Sequence, residues 1–257
     1  MKKNTYLPSK RSKIDSFLVM DVLQQSKLLE ENGKKIFHLE LGEPLNKTPL
    51  VVQKEAKRLI NSQIPGYTPS NGIFELRKQI SDYYKKIKNI EIDSDQIFIT
   101  TGSSGAFILS FLACFDPGDK IAIFSPVYPA YRNILKSLNL DVIEIPSDKN
   151  NFGKIDITKI KNFKDLDGLV LSNPNNPTGQ VFSKDELKFI YNFCEKQKIT
   201  LISDEIYHGI EYEKKTYSMK IFGPNVLVVN SFSKFFCMPG WRLGWVIVPK
   251  NLKGSFL

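Results

Sequence analysis

Seven short apolar runs punctuate the chain, at 97–100, 120–124, 141–145, 168–172, 200–203, 226–230 and 244–248. Each is rich in Ile and Val and bounded by Gly, Pro, Asn or Asp, a pattern that predicts strands buried on both faces. Between several of them the apolar period changes to that of a helix. Residues 183–197 show it best: Ser183 suits an N-cap, and Glu186 stands at the capping-box position three residues on. Further amphipathic helices are expected at 16–33, ended by Gly33, at 50–61 and at 72–87. This β-α-β alternation predicts an α/β protein with a mostly parallel sheet. Such a sheet places its functional groups in the loops after the carboxyl ends of its strands.

Composition narrows the reading only a little. With 257 residues and 42% hydrophobic positions, the chain can bury one substantial core plus a smaller appendage. No internal repeat, long linker or low-complexity stretch interrupts it.

The net charge of +9 raises the question of nucleic acid. All but five of the 36 basic residues are lysines, however, and they are scattered without interleaved arginines or a reading helix. A solvated lysine-rich surface accounts for them, and no nucleic-acid partner is expected. Cys114, Cys194 and Cys237 are too far apart for a metal site and odd in number for a disulfide framework, which fits a reducing cytoplasm. The basic N-terminus, 1–13, leads into the mixed stretch 14–17 rather than an apolar signal core, and no run reaches the length of a membrane span. A soluble cytoplasmic protein is expected.

The loops after the strands hold the candidate chemistry. Ser231-Phe232-Ser233-Lys234 follows the sixth run, with Arg242 eight residues beyond the lysine. A lysine there can form a Schiff base with an aldehyde, while hydroxyls and a guanidinium suit an attached phosphate. Taken alone, Lys234 reads as one more surface lysine. Asp204, at the end of the fifth run in Ser203-Asp204-Glu205-Ile206-Tyr207, changes the weighing. A buried carboxylate can keep the pyridine nitrogen of pyridoxal 5'-phosphate (PLP) protonated, and Tyr207 can donate to the ring's phenolic oxygen. The plain alternative is an acidic helix cap.

Asn173-Pro174-Asn175-Asn176-Pro177-Thr178-Gly179 follows the fourth run and forms a tight turn whatever its function; it can also present the Asn176 amide to that same oxygen. After the first run, Thr101-Gly102-Ser103-Ser104-Gly105-Ala106 makes a small-residue turn opening a helix at Phe107, where backbone N–H groups and the Ser103 and Ser104 hydroxyls can hold an anion. It is neither a dinucleotide fingerprint nor a Walker loop. Tyr128, between Pro126 and Pro129 after the second run, can stack on a pyridine ring, or be an ordinary loop tyrosine.

Read in order, these segments resemble the class I/II aminotransferases of the fold-type I PLP enzymes, the aspartate aminotransferase superfamily. Asn-Pro-x-x-Pro-Thr-Gly, Ser-Asp-Glu-x-Tyr and Ser-x-Ser-Lys followed by Gly-x-Arg-x-Gly occur here in the family's sequence order. Each motif is modest; the ordered set is specific, and the resemblance runs from about residue 39 to 249. It implies a three-layer α/β/α PLP-transferase large domain over 48–257, with a seven-stranded, mostly parallel sheet, and an N-terminal arm with part of a small domain over 1–47. It implies that Lys234 forms the internal aldimine and later shuttles a proton, moving an amino group between an amino acid and a 2-oxo acid. Asp204, Tyr207 and Asn176 would contact the ring, Tyr128 would stack on it, and Ser103, Ser104, Ser231 and Arg242 would hold the phosphate. Leu41-Gly42-Glu43-Pro44 resembles the loop whose glycine, with Asn176, lies beside the substrate. Gly66-Tyr67-Thr68-Pro69 resembles the segment whose tyrosine reaches the neighbouring subunit's phosphate, so a homodimer is expected.

The chain departs from the family after Arg242. Relatives continue into a C-terminal small domain carrying the arginine that pairs with the substrate's α-carboxylate, and no arginine follows Arg242 here. The expectation is a C-terminally truncated member, with a complete cofactor site and an incomplete substrate site. The alternatives are an inactive PLP-binding remnant and another fold-type I enzyme such as a β-lyase.

Overall fold

All seven apolar runs form strands of one sheet: β1 (Ile97–Thr100), β2 (Lys120–Ser125), β3 (Asp141–Pro146), β4 (Gly168–Ser172), β5 (Thr200–Asp204), β6 (Val226–Ser231) and β7 (Gly244–Ile247), in the order β1-β7-β6-β5-β4-β2-β3. The structure is a computed structural model that describes residues 6–62, 66–148 and 154–257; the first five residues of the basic N-terminus lie outside it. Strands β2 to β6 pair in parallel, while β7 runs antiparallel between β6 and β1.

Side chains alternate across this sheet, and both faces are buried, which is why the strands read as near-continuous apolar runs. On β4, Leu169 and Leu171 enter the core layer under α3 (Phe74–Tyr83) and α6 (Lys184–Gln197), whereas Val170 enters the opposite layer. That second layer is packed by α4 (Gly102–Cys114), α5 (Pro129–Ser137) and the short C-terminal α7 (Lys253–Phe256), through Phe107, Phe111, Leu135 and Phe256. Strands β5 and β6 run one residue past the apolar pattern, because the ladder continues into polar residues: Ser172 pairs with Asp204, and Ser231 with Gly244. Asp204 and Ser231 of the candidate site are thus held by the sheet itself.

The helix signals hold with two changes. The capping box at α6 is complete: the Glu186 N–H donates to Ser183 Oγ at 3.2 Å and the Ser183 N–H to Glu186 Oε2 at 2.7 Å. The helix expected over 72–87 ends as α3 at Tyr83 and passes into a π-helical turn, Tyr84–Lys88, closed by Asn89 in the left-handed region (φ 55°). The helix after β1 begins at Gly102 rather than Phe107, so the small residues form its first turn instead of preceding it.

The N-terminal helices α1 (Leu18–Glu31) and α2 (Leu50–Ser62) contain no buried residue, and among the described residues the first buried position is Arg77. Gly33 ends α1 as expected, at φ 79°, with the Lys34 N–H reaching back to the Leu29 carbonyl at 3.0 Å. Among the described residues no helix is long and apolar enough to cross a membrane.

Candidate active site

The carboxyl ends of β4, β5 and β6 bring the predicted residues to one place. After β4, the turn carrying Asn176 is fixed by its own asparagines. Asn175 Oδ1 accepts from the Thr178 N–H and hydroxyl, at 3.2 and 2.8 Å, and Asn173 Oδ1 from the buried Phe182 N–H at 3.0 Å. The Asn173 N–H donates to the Asp204 carbonyl at 3.0 Å, tying this turn to the end of β5. Asn176 Nδ2 then donates to the Tyr207 hydroxyl at 3.1 Å. Burial and the Asp204 charge raise the Tyr207 phenol to about 12, so it stays protonated at neutral pH.

Lys234, in the turn after β6, has its Nζ 5.9 Å from the centre of the Tyr207 ring and donates to the Gly42 carbonyl at 2.6 Å. Burial holds its amine below the ordinary lysine value, with Glu43 pulling the other way. A more readily deprotonated amine is the form that attacks a carbonyl carbon. The loop at Gly42 and the strand end at Lys234, nearly two hundred residues apart, therefore meet.

Asp204 is buried, and burial lifts its carboxyl to about 6; the donors Tyr131 and the Ile206 N–H oppose that rise. Oδ1 accepts from the Ile206 N–H at 3.1 Å, and Oδ2 takes a short hydrogen bond from the Tyr131 hydroxyl. Tyr128, the N-cap of α5, packs edge-on against Tyr131 (5.6 Å between centroids) and Phe17 (5.7 Å). Burial and the Asp204 charge raise its phenol above the ordinary value, with the Arg242 charge opposing.

The remaining residues make an anion cradle. Gly102, the first residue of α4, has φ 73°, and a Cβ there would fall 2.4 Å from Arg242 Nη2. A Cβ on Gly244 would fall 2.7 Å from the Gly102 carbonyl carbon and 2.9 Å from the Ser103 nitrogen. Only glycines let β7 and the Arg242 guanidinium approach the helix start this closely. Arg242 itself is left-handed (φ 50°), with Nη1 donating to the Pro239 carbonyl at 2.9 Å. Buried Ser231 accepts from the Ser233 N–H at 2.9 Å, and Ser103 and Ser104 lie half-buried in the first turn of α4. A helix N-terminus, hydroxyls and a guanidinium in one place form a donor set matched to phosphate.

Tyr67 stands apart, fully exposed, and among the described residues it makes no hydrogen bond or ring contact. A cleft of about 750 Å³ opens beside Asn176 and Tyr207, walled by the 174–181 turn and by residues 210–214. No group of His, Cys, Asp and Glu side chains suited to a metal occurs among the described residues.

Tyr131 and Ser233 were not singled out from the sequence. The spacing Tyr128-Pro129-Ala130-Tyr131, which puts two tyrosines one turn apart at a helix start, is the signal that could have found the first.

Comparison with known proteins agrees with this geometry. The model of the family "Aminotransferase class I and II" matches residues 34–256. A valine–pyruvate aminotransferase of Mycobacterium tuberculosis is 39% identical over 95% of this chain and 63% of its own length. A (5-formylfuran-3-yl)methyl phosphate transaminase of Methanocaldococcus jannaschii is 36% identical over 91% of this chain and 61% of its own. Among solved structures, an aminotransferase from M. tuberculosis superposes with a TM-score of 0.93 at 38% identity, covering 98% of this chain and 66% of that one. The chain thus spans somewhat under two-thirds of the length of these relatives. Sequence and overall fold agree with these relatives, and the chain belongs to the class I and II aminotransferase family.

Proposed function

We propose that this protein binds PLP at Lys234 and, as part of a whole aminotransferase, moves an amino group between an amino acid and a 2-oxo acid. The observation that carries the reading is the convergence of Lys234, Tyr207, Asn176 and buried Asp204 beside the cradle formed by Gly102, Ser103 and Arg242. These residues fit the cofactor's parts one by one: a phosphate, a phenolic oxygen, a ring nitrogen and a carbonyl carbon.

When bound, PLP supplies an electron-accepting ring conjugated to a carbonyl carbon. The residues of this chain do the rest. Arg242, Ser231, Ser103 and Ser104 hold the phosphate. Asp204 holds a proton on the ring nitrogen, Tyr207 and Asn176 hydrogen-bond the phenolic oxygen, and Tyr128 covers the ring. Lys234 Nζ, with its lowered proton affinity, would hold the cofactor's carbonyl carbon and, when free, would be placed to take and return the proton at the substrate's α-carbon. Gly42 and Asn176 line the substrate side. Tyr67, exposed on one protomer, reaches the phosphate held by a second copy in a homodimer, and the unpaired cysteines suit a reducing cytoplasm.

Amino acid added alone to the cofactor-loaded protein tests this. Transamination leaves the amino group on the cofactor and releases the 2-oxo acid without ammonia. Release of pyruvate and ammonia from a substrate with a β leaving group, with the cofactor unchanged, would indicate a β-lyase instead.

A further inference from the structure

Tyr131 has a role that neither the motifs nor the family likeness assigns. Its side chain is fully buried and its hydroxyl donates to Asp204 Oδ2, across 73 residues of sequence. The placement is built in. Pro129 starts α5, the Tyr131 N–H closes the first turn on the Tyr128 carbonyl at 3.2 Å, and the ring is wedged edge-on against Phe107 at 4.8 Å and Tyr128 at 5.6 Å. A ring clamped on two sides cannot swing its hydroxyl away. With Oδ1 on the Ile206 N–H, the two donors define the carboxylate plane.

The chemistry of this contact is specific. Burial and the Asp204 charge keep the Tyr131 phenol protonated, so it acts only as a donor toward the carboxylate. A donor to a carboxylate stabilises the ionised form. An unassisted carboxylate in this apolar layer would instead hold a proton itself near neutral pH.

We propose that Tyr131 is a positioning residue: its clamped hydroxyl keeps the Asp204 carboxylate oriented and ionised, so that a ring nitrogen facing it, and not Asp204, holds the proton. The proposal rests on the PLP reading above, but its first consequence concerns Asp204 alone.

The Asp204 carboxyl can be titrated by ¹³C NMR in the cofactor-free 257-residue protein, comparing wild type with Tyr131→Phe, which keeps the ring packing. The expected result is a proton affinity at least threefold higher in Tyr131→Phe; a change smaller than threefold overturns the proposal. If Tyr131→Phe does not fold, 3,5-difluorotyrosine at position 131, a stronger donor of nearly the same shape, decides. Asp204 should then bind its proton at least threefold more weakly, and a smaller change overturns the proposal. With PLP bound, the acid limb of the absorbance–pH profile should move in Tyr131→Phe but not between Asp204→Asn and the Asp204→Asn/Tyr131→Phe double variant. Failure of PLP to bind any variant, with the carboxyl shift present, would overturn the cofactor reading and leave the Tyr131–Asp204 coupling standing.

Discussion

Asp204 and Glu205 are adjacent carboxylates, both buried, and they do different work. Asp204 turns to Tyr131, in the core layer under α4 and α5. Glu205 turns to the other layer. Its Oε1 accepts from the Met219 N–H at 2.8 Å, Ser218 Oγ at 3.0 Å and Ser203 Oγ at 3.2 Å, pinning the turn before β6 to the end of β5. Its Oε2 lies 3.4 Å from Nδ1 of buried His208. This approach is not an ion pair at neutral pH: burial holds His208 down at about 3, so its imidazole is uncharged there, while burial pushes Glu205 up to about 7. Burial alone therefore does not mark a functional carboxylate. What distinguishes Asp204 is a clamped tyrosine donor from the layer of α4 and α5, beside the backbone donor Ile206, where Glu205 has three donors that tie the turn before β6 to the end of β5.

Substitution at Asp204 should separate the two most sharply. In the whole aminotransferase proposed above, Asp204→Ala should slow the half-reaction with amino acid by about 10³-fold, the scale of a lost preorganised electrostatic contact. The cofactor should stay covalently attached, since Lys234 and the cradle remain. An unchanged single-turnover rate would place Asp204 with Glu205 as a structural group.

Glu205→Ala should act on the fold instead. It strands the buried Met219 N–H and two hydroxyls and should cost about 3 kcal/mol in chemical denaturation. PLP absorbance should remain in whatever fraction stays folded. Loss of cofactor binding without loss of stability would break the contrast.

The pH dependence of stability sharpens it further. Glu205 has a folded value of about 7 against an ordinary 4.5, so the folded state binds the extra proton and stability falls as pH rises from 4.5 to 7. His208, depressed from 6.5 to about 3, acts oppositely: stability is lost as pH falls from 6.5 towards 3. Glu205→Gln should remove the first effect only, so its stability relative to wild type should rise across pH 4.5–7 by on the order of 2 kcal/mol. A flat difference would show that Glu205 is not protonated in the fold.

The smallest effect is expected at Asn176. Asn176→Ala removes one neutral hydrogen bond to Tyr207, worth about 1 kcal/mol, and should weaken the half-reaction by roughly fivefold. The denaturation free energy should fall by no more than about 1 kcal/mol.

The strands and the Asp204, Asn176, Tyr207, Lys234 and Arg242 set could be found in sequence because strand ends and turn chemistry are local signals. Gly33 and the Ser183–Glu186 box were equally local. The start of α4 was misplaced because Gly102-Ser103-Ser104-Gly105 has weak helix propensity. Tertiary contact overrides it, since Arg242 and Gly244 leave no room there for larger side chains. Tyr131 left only a local hint, two tyrosines one turn apart at a helix start, and the Glu205–His208 contact left none, because each partnership depends on which face a residue takes at the end of β5. A register in space decides that, and the two partners of the first lie 73 residues apart. Helices α1 and α2 show the converse: their amphipathic pattern was plain, although neither holds a buried residue among the described residues.

The central claim is that Lys234, among the many lysines of this chain, holds the cofactor. Borohydride reduction of the PLP-incubated protein, followed by peptide mapping, tests it directly. The account predicts a phosphopyridoxyl label on the peptide carrying Ser231-Phe232-Ser233-Lys234 and its loss in Lys234→Ala. A label on any other lysine, or none in folded protein, would contradict it.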